Sequence, residues 1–153
     1  MSTQSNAVLA FTSLLRAHAA VTRDLSAQLL ADHELTISDY EVLLRLANAP
    51  DRRLRRVDLA AEVLLTASGI TRLLDGLERA GHVERGTCET DRRVVYAVLT
   101  EAGLHKVREA SASHVAQIDE LFGGHFEADE LVRMETLLTR LGGPRRDECV
   151  PDA

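Results

Sequence analysis

The chain has 153 residues, of which 45% are hydrophobic and 27% charged, a composition that fits one globular domain. Aromatic residues make up only 3% and tryptophan is absent, so the core must be aliphatic, which favours packed helices over a β-sandwich. No apolar run is long enough to span a membrane, residues 1–6 lack the features of a secretory signal, and two cysteines are too few for a disulfide framework. We therefore expect a cytoplasmic protein with no membrane partner.

The net charge of −6 is distributed unevenly along the chain. Residues 52–96 contain nine arginines and seven acidic residues, a net charge of +2, whereas the remainder carries −8. A phosphate backbone responds to such a local field rather than to the charge of the whole chain. Because a surplus of this size also arises by chance, the charge pattern alone does not identify a partner.

The first predicted element is a long amphipathic helix over residues 6–32. Its apolar positions recur at steps of three and four residues, which is the period of a helix. Such a helix would reach roughly 35–40 Å, more than one small domain needs internally, and this length is typical of a helix at a dimer interface. The seam consists of Val8, Phe11, Leu15, His18, Thr22, Leu25 and Leu29.

A second helix is predicted to begin at Ser38, because Ser38 and Glu41 have the spacing of a capping box. It stops before Pro50. The sequence APDRRLRR at 49–56 is predicted to be a basic, polar loop, and residues 57–63 a short helix.

The next helix is predicted to begin after Thr66, a good N-cap residue, with Leu65 and Ile70 placed as a hydrophobic staple across the cap. Gly81 stands where a glycine usually ends a helix. The face expected to be buried carries Ile70, Leu73, Leu74 and Leu77, and the opposite face carries Ser68, Arg72, Asp75 and Arg79, with Thr71 at its edge.

Residues 82–99 change to the pattern of two strands joined by the polar turn Thr90-Asp91-Arg92, and so predict a β-hairpin with Cys88 in its first strand. Thr100 is placed to cap a further helix that ends at the pair Gly123-Gly124. A last helix is predicted over residues 128–141, followed by a polar tail at 143–153 that contains Cys149.

The order of helix, short turn, helix and hairpin has a direct use in DNA recognition, because a second helix of this size fits the major groove while the first braces it. Small residues allow close approach, backbone N–H groups suit phosphates, and arginine can read guanine. Any solvated helix face offers similar groups, so this face alone favours no function. The candidate contacts on the helix are Thr66, Ala67, Ser68, Gly69, Thr71 and Arg72.

The predicted hairpin tip favours DNA over a merely solvated surface. Arg92 and Arg93 on a thin hairpin can enter a narrow minor groove, where the negative potential is enhanced. Asp91 beside them can hold a guanidinium group in position. A solubilising turn would explain the composition but not the order of the elements.

The sequence here resembles the MarR (multiple antibiotic resistance regulator) family of winged helix-turn-helix regulators, and the resemblance covers nearly the whole chain. The wing signature is Asp91-x-Arg93, followed by Leu99-Thr100 and Gly103. Order and spacing together, rather than any single piece, make the match specific. The other matching residues are Leu59-Ala60, Ser68, Thr71-Arg72, Leu74-Asp75, Leu77-Glu78, Gly81 and Val83.

The resemblance implies a mainly α fold in one domain over residues 1–153. Residues 36–100 would form the winged-helix DNA-binding lobe with a two-stranded hairpin wing, and residues 6–32 and 101–142 the dimerisation helices. Each subunit of a homodimer would place residues 67–72 in the major groove of double-stranded DNA and Arg93, oriented by Asp91, in the minor groove. Asp75 departs from this pattern because it points outward on the helix, although it can pair with Arg79 one turn later, away from the groove.

The implied function is sequence-specific transcriptional regulation, as a repressor bound to a pseudo-palindromic operator and released by a small amphipathic, often aromatic effector. Such an effector would bind between the lobe and the dimer helices, near Leu14, His18, Val21, Tyr40 and Leu44, although these are ordinary core residues too. An alternative is a winged-helix module that binds proteins and has no specific DNA site.

Other classes of function find less support. The six histidines are dispersed and no metal-ligand cluster appears, so we expect no metal or cofactor. No catalytic constellation or phosphate-binding glycine loop is present, so we expect no enzyme. Cys88 is expected to be structural, and no cysteine stands early in the first helix, where peroxide-sensing members of the family carry one.

Overall fold

A computed structural model describes residues 5–63 and 65–142, in which helices predominate and a small antiparallel sheet is inserted between them. The predicted polar tail with Cys149 lies outside these described residues. The elements are α1 (Asn6–His33), α2 (Ile37–Asn48), a 3₁₀ turn (Pro50–Arg52), β1 (Arg53–Arg55), α3 (Arg56–Glu62), α4 (Ala67–Arg79), β2 (Val83–Thr87), β3 (Val95–Leu99), α5 (Glu101–Gly123) and α6 (Ala128–Gly142).

The N-cap of helix α2 lies two residues earlier than the sequence pattern predicts. Its N-cap is Thr36, whose hydroxyl accepts a hydrogen bond from the Asp39 backbone N–H at 3.1 Å, while the Asp39 carboxylate accepts one from the Thr36 N–H at 2.9 Å. The capping box is therefore Thr36 with Asp39, and the prediction of Ser38 with Glu41 is wrong. An aspartate at the third position, although shorter than glutamate, reaches back to the cap and serves the same donor.

The segment at 49–56, predicted to be a loop, contains a third strand. Asp51 and Arg52 adopt left-handed backbone conformations, with φ of 54° and 53°, and turn the chain into β1. Strand β1 pairs antiparallel with β3, so the sheet order is β1-β3-β2. Three residues with one apolar side chain are too few to show strand periodicity, which explains the error.

The predicted hairpin is confirmed, but its strands are shorter and its loop longer than expected. Strands β2 and β3 pair from Val83 opposite Leu99 to Thr87 opposite Val95, which leaves residues 88–94 as the connecting loop. Cys88 therefore lies in this loop, and the prediction that placed it in the first strand is wrong. A Cβ at Gly86 would come within 2.9 Å of the Val98 side chain, so glycine is the residue that this position accommodates without a shift.

The core lies between α2, α3, α4, the sheet and the first half of α5. Its side chains are aliphatic with one tyrosine, as the composition predicts, and Val42, Leu43, Leu46 and Leu59 are fully buried. Leu74 of α4, Leu99 of β3 and Val107 of α5 extend this core.

The wing joins α5 at a close contact between backbones. The Thr100 hydroxyl accepts from the Gly103 N–H at 3.0 Å, as predicted for a cap, and donates to the Gly81 carbonyl at 2.7 Å. A Cβ at Gly103 would overlap the carbonyl oxygen of His82. Glycine at this position therefore lets the start of α5 dock directly against the start of the hairpin.

The first and last helices, α1 and α6, expose an apolar surface. In α1 only Leu25 and Leu29 are buried, and Phe11 is 60% exposed. Helix α6 buries no residue, and Leu141 is 80% exposed. A groove of about 460 Å³ between α5 and α6 is lined by Phe122, Leu131, Met134 and Leu138 among others. None of the described helices is long and apolar enough to cross a membrane.

Candidate nucleic-acid interface

Helix α4 is built as the sequence predicts. The Thr66 hydroxyl caps it by accepting the Gly69 N–H at 3.1 Å, and Gly81 follows it with a φ of 78°, a conformation that favours glycine. Ile70, Leu74 and Leu77 are buried, whereas Leu73 is half-buried at the edge of the core. This face fixes the rotation of the helix, so the opposite face is presented outward.

The outward face carries several of the predicted contact residues. Thr66, Ala67, Ser68 and Arg72 are exposed, and Gly69 is half-buried beneath the cap. The Thr66 and Ser68 hydroxyl oxygens lie 3.2 Å apart. The start of the helix therefore presents small groups with one long arginine a turn further on.

Thr71 differs from Thr66 and Ser68 because its hydroxyl is bonded to a side chain of another helix. It donates to the Ala67 carbonyl at 2.8 Å and accepts a hydrogen bond from the Arg56 guanidinium. Arg56 is the first residue of α3, fifteen positions earlier in the chain. The contact ties the two helices together, and the sequence pattern gave no sign of it.

Two acidic residues on the outer flank of α4 are held by the wing. Arg85 of β2 donates to the Glu78 carboxylate at 3.0 Å and to Asp75 at 3.1 Å, and the Glu78 hydrogen bond is the main cause that raises the pKa of Arg85. The prediction that Asp75 pairs with Arg79 is wrong, because Arg79 donates to the Asp75 backbone carbonyl instead. The shared guanidinium neutralises acids beside the outward face and links β2 to α4.

At the tip of the wing, Asp91 orients Arg93. One Asp91 oxygen accepts both the Arg93 backbone N–H at 3.0 Å and the Arg93 Nε at 3.2 Å. The Arg93 side chain is nevertheless 93% exposed, and Arg92 beside it is also exposed. The wing therefore holds the base of the guanidinium group while leaving its outer donors open to a ligand.

The wing loop also contains the thiol of Cys88, 3.1 Å from the Thr90 hydroxyl. That hydrogen bond, with further ones from the backbone of Thr90 and Asp91, lowers the pKa of the thiol. In residues 5–63 and 65–142, no group of three or more histidine, cysteine and acidic side chains is arranged to hold a metal ion.

A cleft of about 350 Å³ separates α4 from the wing. Ala67, Thr71 and Arg93 are the predicted site residues that line it, together with Arg55 and Arg56. The other predicted residues, Thr66, Ser68, Gly69, Arg72, Asp91 and Arg92, are not among its lining residues. The surface thus has two projecting elements, the start of α4 and the wing tip, with a cleft containing arginine between them.

A helix-turn-helix whose second helix faces outward beside a projecting hairpin defines the winged helix-turn-helix class. The model of the MarR family matches residues 33–94. The chain is 29% identical over 132 residues to the HTH-type transcriptional regulator MhqR of Bacillus subtilis (strain 168), covering 86% of this chain and 88% of that protein.

Two crystal structures from Streptomyces coelicolor share the fold. AbsC, a MarR family transcriptional regulator, is 29% identical with a TM-score of 0.80, over 93% of this chain and 96% of AbsC. Sco3205, a MarR family transcriptional regulator in complex with DNA, is 25% identical with a TM-score of 0.82, over 99% of this chain and 96% of Sco3205. This chain thus matches the MarR family model over residues 33–94 and shares its fold with MarR family transcriptional regulators over nearly its whole length.

Proposed function

We propose that the chain is a sequence-specific DNA-binding transcriptional regulator that acts as a homodimer in the cytoplasm and carries out no catalysis. The observation that carries the proposal is the pairing of an outward-facing α4 with a wing tip on which Asp91 orients an exposed Arg93. A helix of this size fits the major groove, and an arginine on a thin hairpin fits the minor groove beside it.

On this proposal, the start of α4 contacts base edges and phosphates, and the wing contacts the minor groove. Arg72 is the residue of α4 best suited to read guanine, because it is exposed and stands one turn into the helix. Thr71 acts indirectly, because its hydroxyl donates to the Ala67 carbonyl and accepts a hydrogen bond from Arg56. The remaining contacts are Thr66, Ala67, Ser68, Gly69, Asp91, Arg92 and Arg93.

The homodimer is supported by the apolar surface at both ends of the chain. Phe11, Leu15, Leu137 and Leu141 are between 46% and 80% exposed, and a second copy of the same helices would cover them. Twofold symmetry would place the two α4 helices roughly 34–36 Å apart, facing a pseudo-palindromic site.

A dimer that covers such a site within a promoter would block transcription, so we propose repression rather than activation. We also propose that a small amphipathic, aromatic effector binds between the lobe and the dimer helices and releases the DNA. Tyr40 and His114 supply ring surfaces in this region, with their centroids 4.9 Å apart. A change in DNA affinity on titration with aromatic acids tests the effector.

Selection from a pool of randomised duplexes by the purified full-length chain tests DNA binding. We expect enrichment of a pseudo-palindrome, with an affinity that falls steeply as salt rises because phosphate contacts release counterions. If no sequence is enriched and the affinity is insensitive to salt, the chain is a protein-interaction module instead.

Two variants then test the roles of the arginines. Arg93→Ala should weaken binding to the selected duplex by about 1–3 kcal/mol at fixed salt, the value of one good groove contact. Arg72→Ala should lower the ratio of the affinity for the selected duplex to the affinity for random duplexes. Arg108→Ala, at an exposed position on α5, is the matched control and should change neither quantity.

A further inference from the structure

Residues 52–56 contain four arginines, which look equivalent in the sequence. Arg52 donates to the Glu101 carboxylate at 2.7 Å, and the Arg53 guanidinium lies 4.0 Å from the centre of the Tyr96 ring. Both groups therefore brace the junction between β1 and the elements around it. Their charges face partners within the chain.

Arg55 is held still more completely. Its Nε and Nη2 donate to the two oxygens of Asp58 at 2.6 Å and 3.0 Å, a bidentate pair that raises the pKa of the arginine. This pair closes the first turn of α3. The charge of Arg55 is thus compensated by a carboxylate three residues away.

Arg56 has a different kind of partner. Within residues 5–63 and 65–142 no carboxylate is within ion-pair distance of it, and its Nη2 donates instead to the Thr71 hydroxyl. A hydroxyl has one hydrogen, which Thr71 gives to the Ala67 carbonyl at 2.8 Å, so its oxygen lone pairs are turned to Arg56. The arginine is half-buried and held in place, but its charge is not neutralised.

The position of Arg56 in the cleft places this charge where a phosphate group of bound DNA would lie. Arg56 lines the cleft between α4 and the wing, together with Arg93 from the wing and with Arg55, whose guanidinium group is already paired with Asp58. If α4 enters the major groove and the wing enters the adjacent minor groove, the sugar-phosphate strand that separates the two grooves must cross this cleft. A guanidinium group presents several donors in one plane that match a phosphate, and one bond to Thr71 leaves others free.

We propose that Arg56 anchors the phosphate that lies between the two groove contacts, and that Thr71 is the residue that positions it. The inference rests on the proposed DNA-binding function. It moves Thr71 from a direct DNA contact to a support, and it singles out one of four neighbouring arginines as the phosphate contact.

The first test compares Arg56→Ala with Arg55→Ala on one duplex selected by the wild-type chain, at several salt concentrations. Loss of one phosphate contact lowers the slope of log affinity against log salt by about one. For Arg56→Ala we expect this change together with a loss of affinity of roughly tenfold or more. Arg55→Ala, which removes the same charge from the neighbouring residue, should keep the slope and stay within about threefold of the wild type.

The second test separates positioning from contact. Thr71→Val keeps the shape of the side chain but removes the hydroxyl, so Arg56 keeps its charge and loses its support. We expect affinity to fall about three- to tenfold while the salt slope changes by less than about half a unit. Thr71→Ser, which restores the hydroxyl, should recover most of the affinity that Thr71→Val loses.

The sedimentation and melting of every variant are measured in parallel, so that unfolding is not mistaken for lost contact. A wild-type slope for Arg56→Ala, or equal losses for Arg55→Ala and Arg56→Ala, would overturn the proposal. So would a Thr71→Ser variant as weak as Thr71→Val. Each of these results leaves DNA binding by the wild-type chain intact, whereas failure of the wild type to select any duplex would count against the proposed function itself.

Discussion

The lobe from α2 to the start of α5 and the helices at the two ends of the chain differ in what covers their apolar side chains. In the lobe, Leu43 and Leu59 are fully buried by other elements of the same chain. In α6 no residue is buried, and the first half of α1 exposes Phe11 and Leu15. Both regions have the same helical periodicity in the sequence. Periodicity therefore predicts an amphipathic helix, but not whether its own chain or a second copy covers it.

A matched pair of truncations gives the largest expected effect. Leu43→Ala leaves a cavity in the closed core and should lower the free energy of unfolding by about 2–5 kcal/mol. Leu15→Ala, at a side chain that is 51% exposed, should instead weaken association and make the melting temperature more dependent on protein concentration. Urea and thermal unfolding at two protein concentrations measure both quantities.

If Leu15→Ala lowered stability as much as Leu43→Ala in a way that did not depend on concentration, α1 would be packed by its own chain. The contrast between the two regions would then be wrong.

A pair of glycine substitutions tests how closely the start of α5 packs against the hairpin. Gly103→Ala places a Cβ against the His82 carbonyl, so the start of α5 must shift, and we expect a loss of about 1–3 kcal/mol or more. Gly76→Ala, in α4, meets no atom within 4 Å and should raise stability by about 0.5–1 kcal/mol, because alanine is the better helix former. Equal effects of the two substitutions on urea unfolding would show that this joint is not close-packed.

The smallest expected effect is a pH dependence at the boundary between the regions. His114 of α5 packs on Tyr40 of the lobe, its Nδ1 is buried and has no hydrogen-bond partner among the described residues, and this burial lowers its pKa. Between the lowered pKa of the folded state and the ordinary histidine pKa of about 6.5, the unfolded chain therefore binds more protons than the folded one, and stability falls as pH falls through this range.

The variant His114→Phe keeps a ring against Tyr40 and removes the titration. Its free energy of unfolding should decline less steeply than that of the wild type between about pH 7.5 and about pH 5.5. The difference between the two proteins at about pH 8, where the histidine is neutral, gives the cost of repacking alone. Parallel curves over the whole range would contradict a titrating His114.

Features that depend on neighbouring residues were predictable from the sequence. The Thr66 cap, the turn at Gly81 and the pair of Asp91 with Arg93 each involve residues at most three positions apart or one backbone conformation. Local interactions of this kind can be predicted from the spacing of the residues alone. The long helices were equally clear, because their periodicity extends over many turns.

Features that depend on the packed fold were not predictable. Strand β1 exists because β3 offers it an edge, and Arg85 reaches Asp75 only once the hairpin has folded against α4. The contact of Arg56 with Thr71 likewise joins two helices. The sequence shows which residues are charged, but the tertiary structure determines which partner each of them contacts.

We propose that the lobe closes its own core while a second copy covers the end helices, so that the protein binds DNA as a dimer. Analytical ultracentrifugation of the full chain at low micromolar concentration, alone and with the selected duplex, tests it most directly. We expect a species with twice the mass of the chain, and two chains bound to each duplex. A stable monomer that binds the duplex as a single copy would contradict it.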